Sequence, residues 1–133
     1  MKVLVVDDLP IVLERLRELL TGVKDIDLVG VAQDAKEATE LALSSNPDVV
    51  VLDISVRGGR GMDVLQAVKK ANPATAVIVS TILFDPIYRE ACLKRGADFF
   101  FDKATEFEKI AGVLKALNLR AAPQTDSNLE ANV

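Results

Sequence analysis

The sequence predicts an α/β fold: a doubly wound, open, five-stranded parallel sheet with five helices on its two faces. Three observations predict it. Short continuous apolar blocks recur five times, a stretch of helical period follows each, and helix-starting and helix-stopping residues fall between them. Blocks that are apolar at every position suit strands buried on both faces, as parallel strands are. Right-handed crossovers then distribute the helices to both sides of the sheet.

The first block is Val3–Val6. Leu9, Val12, Leu13, Leu16, Leu19 and Leu20 follow it at three- and four-residue steps, and Pro10 stands in the first helical turn, where a missing N–H costs little. After the second block, Leu28–Val31, Asp34 precedes Glu37 by three residues. That is a capping-box pattern opening a helix to about Ser45, which Asn46-Pro47 ends. The third block, Val49–Leu52, leads to a helix from Gly61 or Met62 to about Ala71, with Leu65 and Val68 inward and Asn72-Pro73 as the stop. The fourth, Val77–Ser80, leads to a helix that opens at Asp85-Pro86 and stops before Gly96. Behind the fifth, Phe99–Phe101, Thr105 and Glu108 are spaced as a capping box, and Phe107, Ile110, Leu114 and Leu117 line one face. Residues 1–119 thus read as one domain. Residues 120–133, ending AAPQTDSNLEANV, are too small and polar to offset ordering and read as a disordered C-terminal tail.

Composition narrows the function. Half of the 133 residues are hydrophobic, yet no run approaches the ~18–20 residues that span a bilayer. The opening MKVLVVDD leaves no room for a signal peptide, and a single cysteine, Cys92, fits a reducing cytoplasm. A net charge of −4 without a basic cluster argues against direct binding to nucleic acid. The absence of histidine excludes His-ligated metals, Ser–His and Cys–His nucleophiles, and a phosphohistidine carried by this chain.

Charged and polar residues cluster at the ends of the apolar blocks: Asp7 and Asp8, Asp53, Thr81 and Lys103. In a doubly wound sheet ligands bind beyond the carboxyl ends of the strands, so these side chains converge on one pocket. Three carboxylates beside one lysine leave a surplus of negative charge that a hard divalent cation would cancel. Mg²⁺ suits best, since it takes one or two carboxylates, keeps several waters and works beside phosphate. Asp53 stands alone after the central block and is the best nucleophile, while the adjacent Asp7 and Asp8 look like the metal-holding pair. A carboxylate needs no base to attack phosphorus. Lys103, and the Thr81 hydroxyl or backbone N–H groups, would share the transferred oxygens with the cation. Taken singly, each residue has a plainer reading: Asp53 as a loop-opening aspartate, Lys103 as a solvated lysine, Phe99, Phe100 and Phe101 as core, and Arg57–Arg60 as a solvated turn. Ser80, beside Thr81, is an alternative hydroxyl.

Over roughly residues 2–118 the sequence resembles the receiver domain of two-component response regulators. The resemblance is carried by VLVVDD, PDVVVLD, VIVST and GADFFFDK. Thr81 lies 22 residues before Lys103 and Gly61 eight after Asp53, as in that family. It implies a flavodoxin-like receiver fold with strand order 2-1-3-4-5, phosphorylation of Asp53, and Mg²⁺ held by Asp7, Asp8, Asp53 and the Ser55 backbone carbonyl. It also implies that Thr81 reorients toward the phosphoryl group, that Phe100 follows as an aromatic switch, and that Lys103 contacts the acyl phosphate.

The implied partners are a sensor histidine kinase or histidine phosphotransfer protein, and an output protein bound at the face of helix 4, strand 5 and helix 5, with Arg89, Lys94, Arg95, Asp98 and Lys109. A homodimer formed on phosphorylation is left open. The expectation is a stand-alone receiver that is no enzyme beyond self-phosphorylation from small donors and slow autodephosphorylation. Alternatives are a phosphorelay intermediate or phosphate sink, and a phosphorylation-independent interaction module. A haloacid-dehalogenase-like phosphatase would need an aspartate where Ser55 stands. Three positions depart from the family pattern: Val56-Arg57 replaces a frequent Met-Pro, Ile82 replaces a small residue and is expected to slow access to the pocket, and Ala104 follows Lys103 where proline is common.

Overall fold

The computed structural model describes residues 1–57, 60–83 and 85–121. The elements in chain order are β1 (Lys2–Val6), α1 (Pro10–Thr21), β2 (Asp27–Ala32), α2 (Ala35–Ser45), β3 (Val49–Leu52), α3 (Gly61–Ala71), β4 (Ala76–Thr81), α4 (Pro86–Lys94), β5 (Phe99–Asp102) and α5 (Lys109–Ala121). All strand pairs are parallel, and the sheet order is β2-β1-β3-β4-β5, as the resemblance implied. Most of the expected tail, residues 122–133, and Gly58-Gly59 of the Arg57–Arg60 turn lie outside the described residues; Arg120 and Ala121 belong to α5.

Strand alternation divides the core into two layers. Leu4, Val6, Val50, Leu52, Val77, Val79 and Phe100 face α2, α3 and α4, where they meet Ala38, Leu65, Val68 and Cys92. Val3, Val5, Val49, Val51 and Ile78 face α1 and α5, where they meet Leu13, Leu16, Ile110 and Leu114, with Phe107 from the turn before α5. Cys92 is fully buried with its Sγ 3.6 Å from Met62 Sδ, and burial raises its pKa, so it packs as an inert neutral thiol.

The local signals act as their chemistry dictates. The Asp34 carboxylate accepts from Glu37 N–H at 2.8 Å and caps α2, while Asn46, left-handed at φ 47°, ends it ahead of Pro47. Asp85 caps α4 through Ile87 N–H, with Pro86 in the first turn. Gly96, at φ 101°, closes α4: its N–H donates to Leu93 O and that of Ala97 to Cys92 O, the paired bonds of a Schellman end.

The expected capping box at Thr105 and Glu108 does not form. Asp102 organises the segment instead: its carboxylate accepts from Ala104 N–H at 2.9 Å and from the Thr105 hydroxyl at 3.1 Å. Glu106 in turn accepts from Asp102 N–H, so Thr105–Glu108 form a turn and α5 begins at Lys109. Phe107 still packs in the core, with the Arg15 guanidinium 4.6 Å above its ring.

Gly61 is required by close approach. A Cβ there would collide with the backbone of Ile54, the residue after Asp53, so the glycine lets α3 press against the loop that carries the acceptor candidate. Gly61→Ala is therefore expected to lose about 1–3 kcal/mol of stability. Gly112→Ala, at an exposed α5 position with open space around it, should gain up to about 1 kcal/mol. Urea unfolding of the two variants checks the contrast.

Candidate functional site

Because β1, β3, β4 and β5 lie side by side and parallel, their carboxyl ends share one edge. Backbone bonds extend the ladder past the strands: Asp7 N–H donates to Ala32 O, Asp53 N–H to Val6 O, and Lys103 N–H to Thr81 O. These three residues are therefore held as rigidly as strand residues, and alternation turns them all to the α1–α5 side of the sheet.

Their side chains meet. Lys103 Nζ donates to Asp7 Oδ2 and to Asp53 Oδ2, each at 2.6 Å, and all three side chains are buried. Asp7 Oδ1 accepts from Leu9 N–H at 3.0 Å, which fixes the turn into α1. Asp53 Oδ1 accepts from Ser55 N–H at 2.9 Å and from the Ser55 hydroxyl at 2.7 Å. Asp8 is half-buried, and the carboxylates of Asp7, Asp8 and Asp53 offer oxygen atoms within 4.8 Å of one another. Such an all-oxygen, carboxylate-rich set fits a hard divalent cation of the Mg²⁺ type.

Two carboxylates share one buried ammonium, and the titration of Asp7 and Lys103 reflects it. Burial raises the Asp7 pKa above its ordinary 3.8, and the bonds from Lys103 and Leu9 only partly oppose this. Burial by itself would lower the pKa of Lys103, but hydrogen bonds to Asp53 and Asp7 outweigh it, so Lys103 is raised and stays charged.

Thr81 is fully buried, and its Oγ1 accepts from Leu83 N–H at 3.1 Å. Phe100 is buried on the α2–α4 side, opposite the carboxylates. Ile82 is 65 % exposed. The Lys103–Ala104 peptide bond is trans. Arg89, Lys94, Arg95 and Lys109 are exposed, but Asp98 is a structural tie: its carboxylate takes Lys69 Nζ and Val77 N–H, both at 2.8 Å. The bonds from Ser55 to Asp53 were not foreseen. The Asp53-Ile54-Ser55 spacing signals them, since an aspartate commonly accepts from the N–H two residues on.

The family model for the response regulator receiver domain matches residues 3–115. The chain belongs to that family. The nitrate/nitrite response regulator protein NarL of Escherichia coli K12 is 31% identical over 120 residues, covering 90% of this chain and 54% of the relative. The protein-glutamate methylesterase/protein-glutamine glutaminase 4 of Hahella chejuensis is 31% identical over 84% of this chain and 29% of its own length. The receiver thus spans about half, or less, of these curated relatives. Among solved structures, the response regulator domain of Thermotoga maritima CheB superposes with a TM-score of 0.77 at 29% identity, covering 91% of this chain and 95% of that one. The signal receiver domain of the NarL regulator of Mycobacterium tuberculosis gives 0.77 at 31% identity, covering 86% and 94%. Among the described residues no helix is long and apolar enough to cross a membrane.

The charge balance of this receiver's pocket generates two predictions. In metal-free buffer Lys103→Met is expected to lose about 3–5 kcal/mol, because it leaves buried carboxylates without their counter-charge. Asp53→Asn should lose far less, since Asp7 keeps its ammonium; urea unfolding in EDTA distinguishes the two. A raised Asp7 pKa means that the folded state holds this proton more tightly than the unfolded chain does. Its stabilising effect is full below 3.8 and is lost as pH rises through the raised value. The stability of Asp7→Asn relative to wild type should therefore improve as pH rises from about 4 toward 7, read as urea midpoints in EDTA.

Proposed function

We propose that this receiver is a Mg²⁺-dependent phosphoryl acceptor in which Asp53 takes the group from a phosphohistidine and a protein-binding surface reads the result. The observation that carries the reading is the Lys103 ammonium held at 2.6 Å from both Asp53 and Asp7. It puts a fixed positive charge on the carboxylate that would attack, beside oxygen ligands for a cation.

In the proposed reaction an Asp53 carboxylate oxygen attacks the phosphorus of the donor. The P–N bond breaks, its electron pair leaves with the imidazole of the partner, and an acyl phosphate forms. None of these 133 residues is a histidine, and the donor in this reading is a sensor histidine kinase or a histidine phosphotransfer protein. Asp7, Asp8 and Asp53 would hold Mg²⁺ together with the Ser55 carbonyl, and the bound ion would neutralise charge on the phosphoryl oxygens. Lys103 would pair with another of those oxygens. Ser55, through its N–H and hydroxyl, orients the Asp53 carboxylate before reaction. Thr81 would exchange its bond to Leu83 N–H for one to the phosphoryl group, and Phe100 would follow.

The output would be a population shift on the face of α4, β5 and α5. Exposed Ile87, Tyr88 and Leu93 on α4, together with exposed Arg89, Lys94, Arg95 and Lys109, supply the apolar and basic character of a protein-binding surface. The pathway would run in the cytoplasm, with no direct role for nucleic acid.

Intact mass after incubation with acetyl phosphate tests the reading. The wild type is expected to gain one phosphoryl group only when Mg²⁺ is present, and Asp53→Asn none. Ile82→Ala in the same assay should load and lose the group faster, since Ile82 follows the switch threonine and is proposed to narrow access to the acceptor. Failure of the wild type to accept from acetyl phosphate and from any histidine kinase would leave the phosphorylation-independent module as the better account.

A further inference from the structure

Among the described residues, the hydroxyl of Ser80 is the one buried side-chain polar atom without a hydrogen-bond partner. Ser80 is only 4% exposed. A hydroxyl in that state costs stability that a small apolar residue would not, so the fold as it stands gains nothing from it.

Its place in the sheet gives it a use. Leu52 pairs with Val79 and Ser80 with Phe101, so Ser80 is the lateral neighbour of Asp53. Alternation puts it two residues beyond Ile78, on the α1–α5 side, the face shared by Asp7, Asp53 and Lys103. Lys103 follows β5, whereas Asp53 follows β3, and β4 lies between them. To reach Asp53 the lysine must cross roughly two strand spacings of about 4.8 Å each, directly over the β4 end where Ser80 sits. An ammonium has three N–H donors, and two go to Asp7 and Asp53.

We infer that the Ser80 hydroxyl positions Lys103, accepting an N–H of its ammonium when a divalent cation takes Asp7. The inference rests on the acceptor-site reading of the pocket. A cation and an ammonium repel one another at a shared carboxylate, so metal binding draws Lys103 off Asp7. Without a replacement acceptor the freed N–H would be buried and unpaired. Ser80 supplies that acceptor and keeps the lysine over Asp53, where the phosphoryl group is to arrive. The serine is thus unsatisfied in one state and satisfied in the other, and it lowers the cost of admitting the ion.

The test is Mg²⁺ titration by calorimetry, with urea unfolding in EDTA as a second readout, on wild type and Ser80→Ala in both the native and the Lys103→Met backgrounds. The expected result has opposite signs. Ser80→Ala should match or exceed wild type in metal-free stability yet bind Mg²⁺ roughly ten- to a hundredfold more weakly, the loss of one hydrogen bond to a charged group. In the Lys103→Met background, the serine change should leave affinity unaltered. Equal Mg²⁺ affinity for wild type and Ser80→Ala overturns the inference alone. A fall in affinity that follows a fall in metal-free stability also overturns it, by making the effect structural. A wild type that binds no Mg²⁺ at millimolar concentration overturns the acceptor-site reading together with the inference. If Lys103→Met does not fold, the opposed signs in the native background still decide.

Discussion

The architecture turns on one buried ammonium shared by two carboxylates. Lys103 comes from the end of β5, Asp53 from β3 and Asp7 from β1, so the contact ties together strands that are far apart in the sequence. At about 4 Å two unit charges interact by about 4 kcal/mol at an effective dielectric of about 20. Removing such charges from water costs several kcal/mol per ion. One ammonium cannot fully compensate two carboxylates on those terms, which is why burial dominates the raised pKa of Asp7. Well-packed apolar residues in place of a buried ionic triad are often neutral or stabilising, so fold stability alone does not explain these charges. The arrangement leaves the pocket short of positive charge, and on the proposed function a divalent cation would complete it.

The fold was legible in the sequence because its signals are local. Five apolar blocks bounded by Asp, Asn, Pro and Gly could hardly form anything but parallel strands with crossover helices, and the caps at Asp34 and Asp85 need only their own next turn. The site was legible for the same reason, since Asp7, Asp53 and Lys103 each follow a strand that the pattern already defines. What sequence alone left hidden depends on competition or on contact in space. Thr105 looked like a cap, yet it joins a turn built on the Asp102 carboxylate, and α5 starts only at Lys109. Asp98 looked like surface charge, yet it holds Lys69 and the start of β4. The unsatisfied state of Ser80 is a property of its surroundings, and no residue pattern announces it.

The two hydroxyls at the end of β4 illustrate the division of labour. Thr81 has a partner, the N–H of Leu83, in a bond of net worth about 0.5–1.5 kcal/mol. That is enough to prefer one position and too little to lock it. Ser80, on the opposite face, has no such hold. The chain around Asp53 is held far more firmly, by the Gly61 approach, buried Ile54 and Val56, and the bonds from Ser55. If Asp53 is the acceptor, as proposed, this firm setting beside weakly held hydroxyls would let chemistry at one point move side chains without disturbing the sheet.

That balance sets what a phosphoryl group would have to accomplish here. Turning a two-state equilibrium from 1:99 to 99:1 takes about 5.5 kcal/mol of differential binding. A charged hydrogen bond to Thr81 supplies about 1.5–3 kcal/mol, less the Leu83 bond it replaces. The hydroxyl alone therefore cannot throw the switch. The remainder would have to come from interactions that also differ between the two states, and in the proposed function the candidate with enough charge behind it is Lys103, which would give up Asp7 to an entering cation and keep its bond to a phosphorylated Asp53. On the proposed reading metal entry would be part of the switching energy, and a receiver phosphorylated but stripped of its cation would sit well short of full conversion.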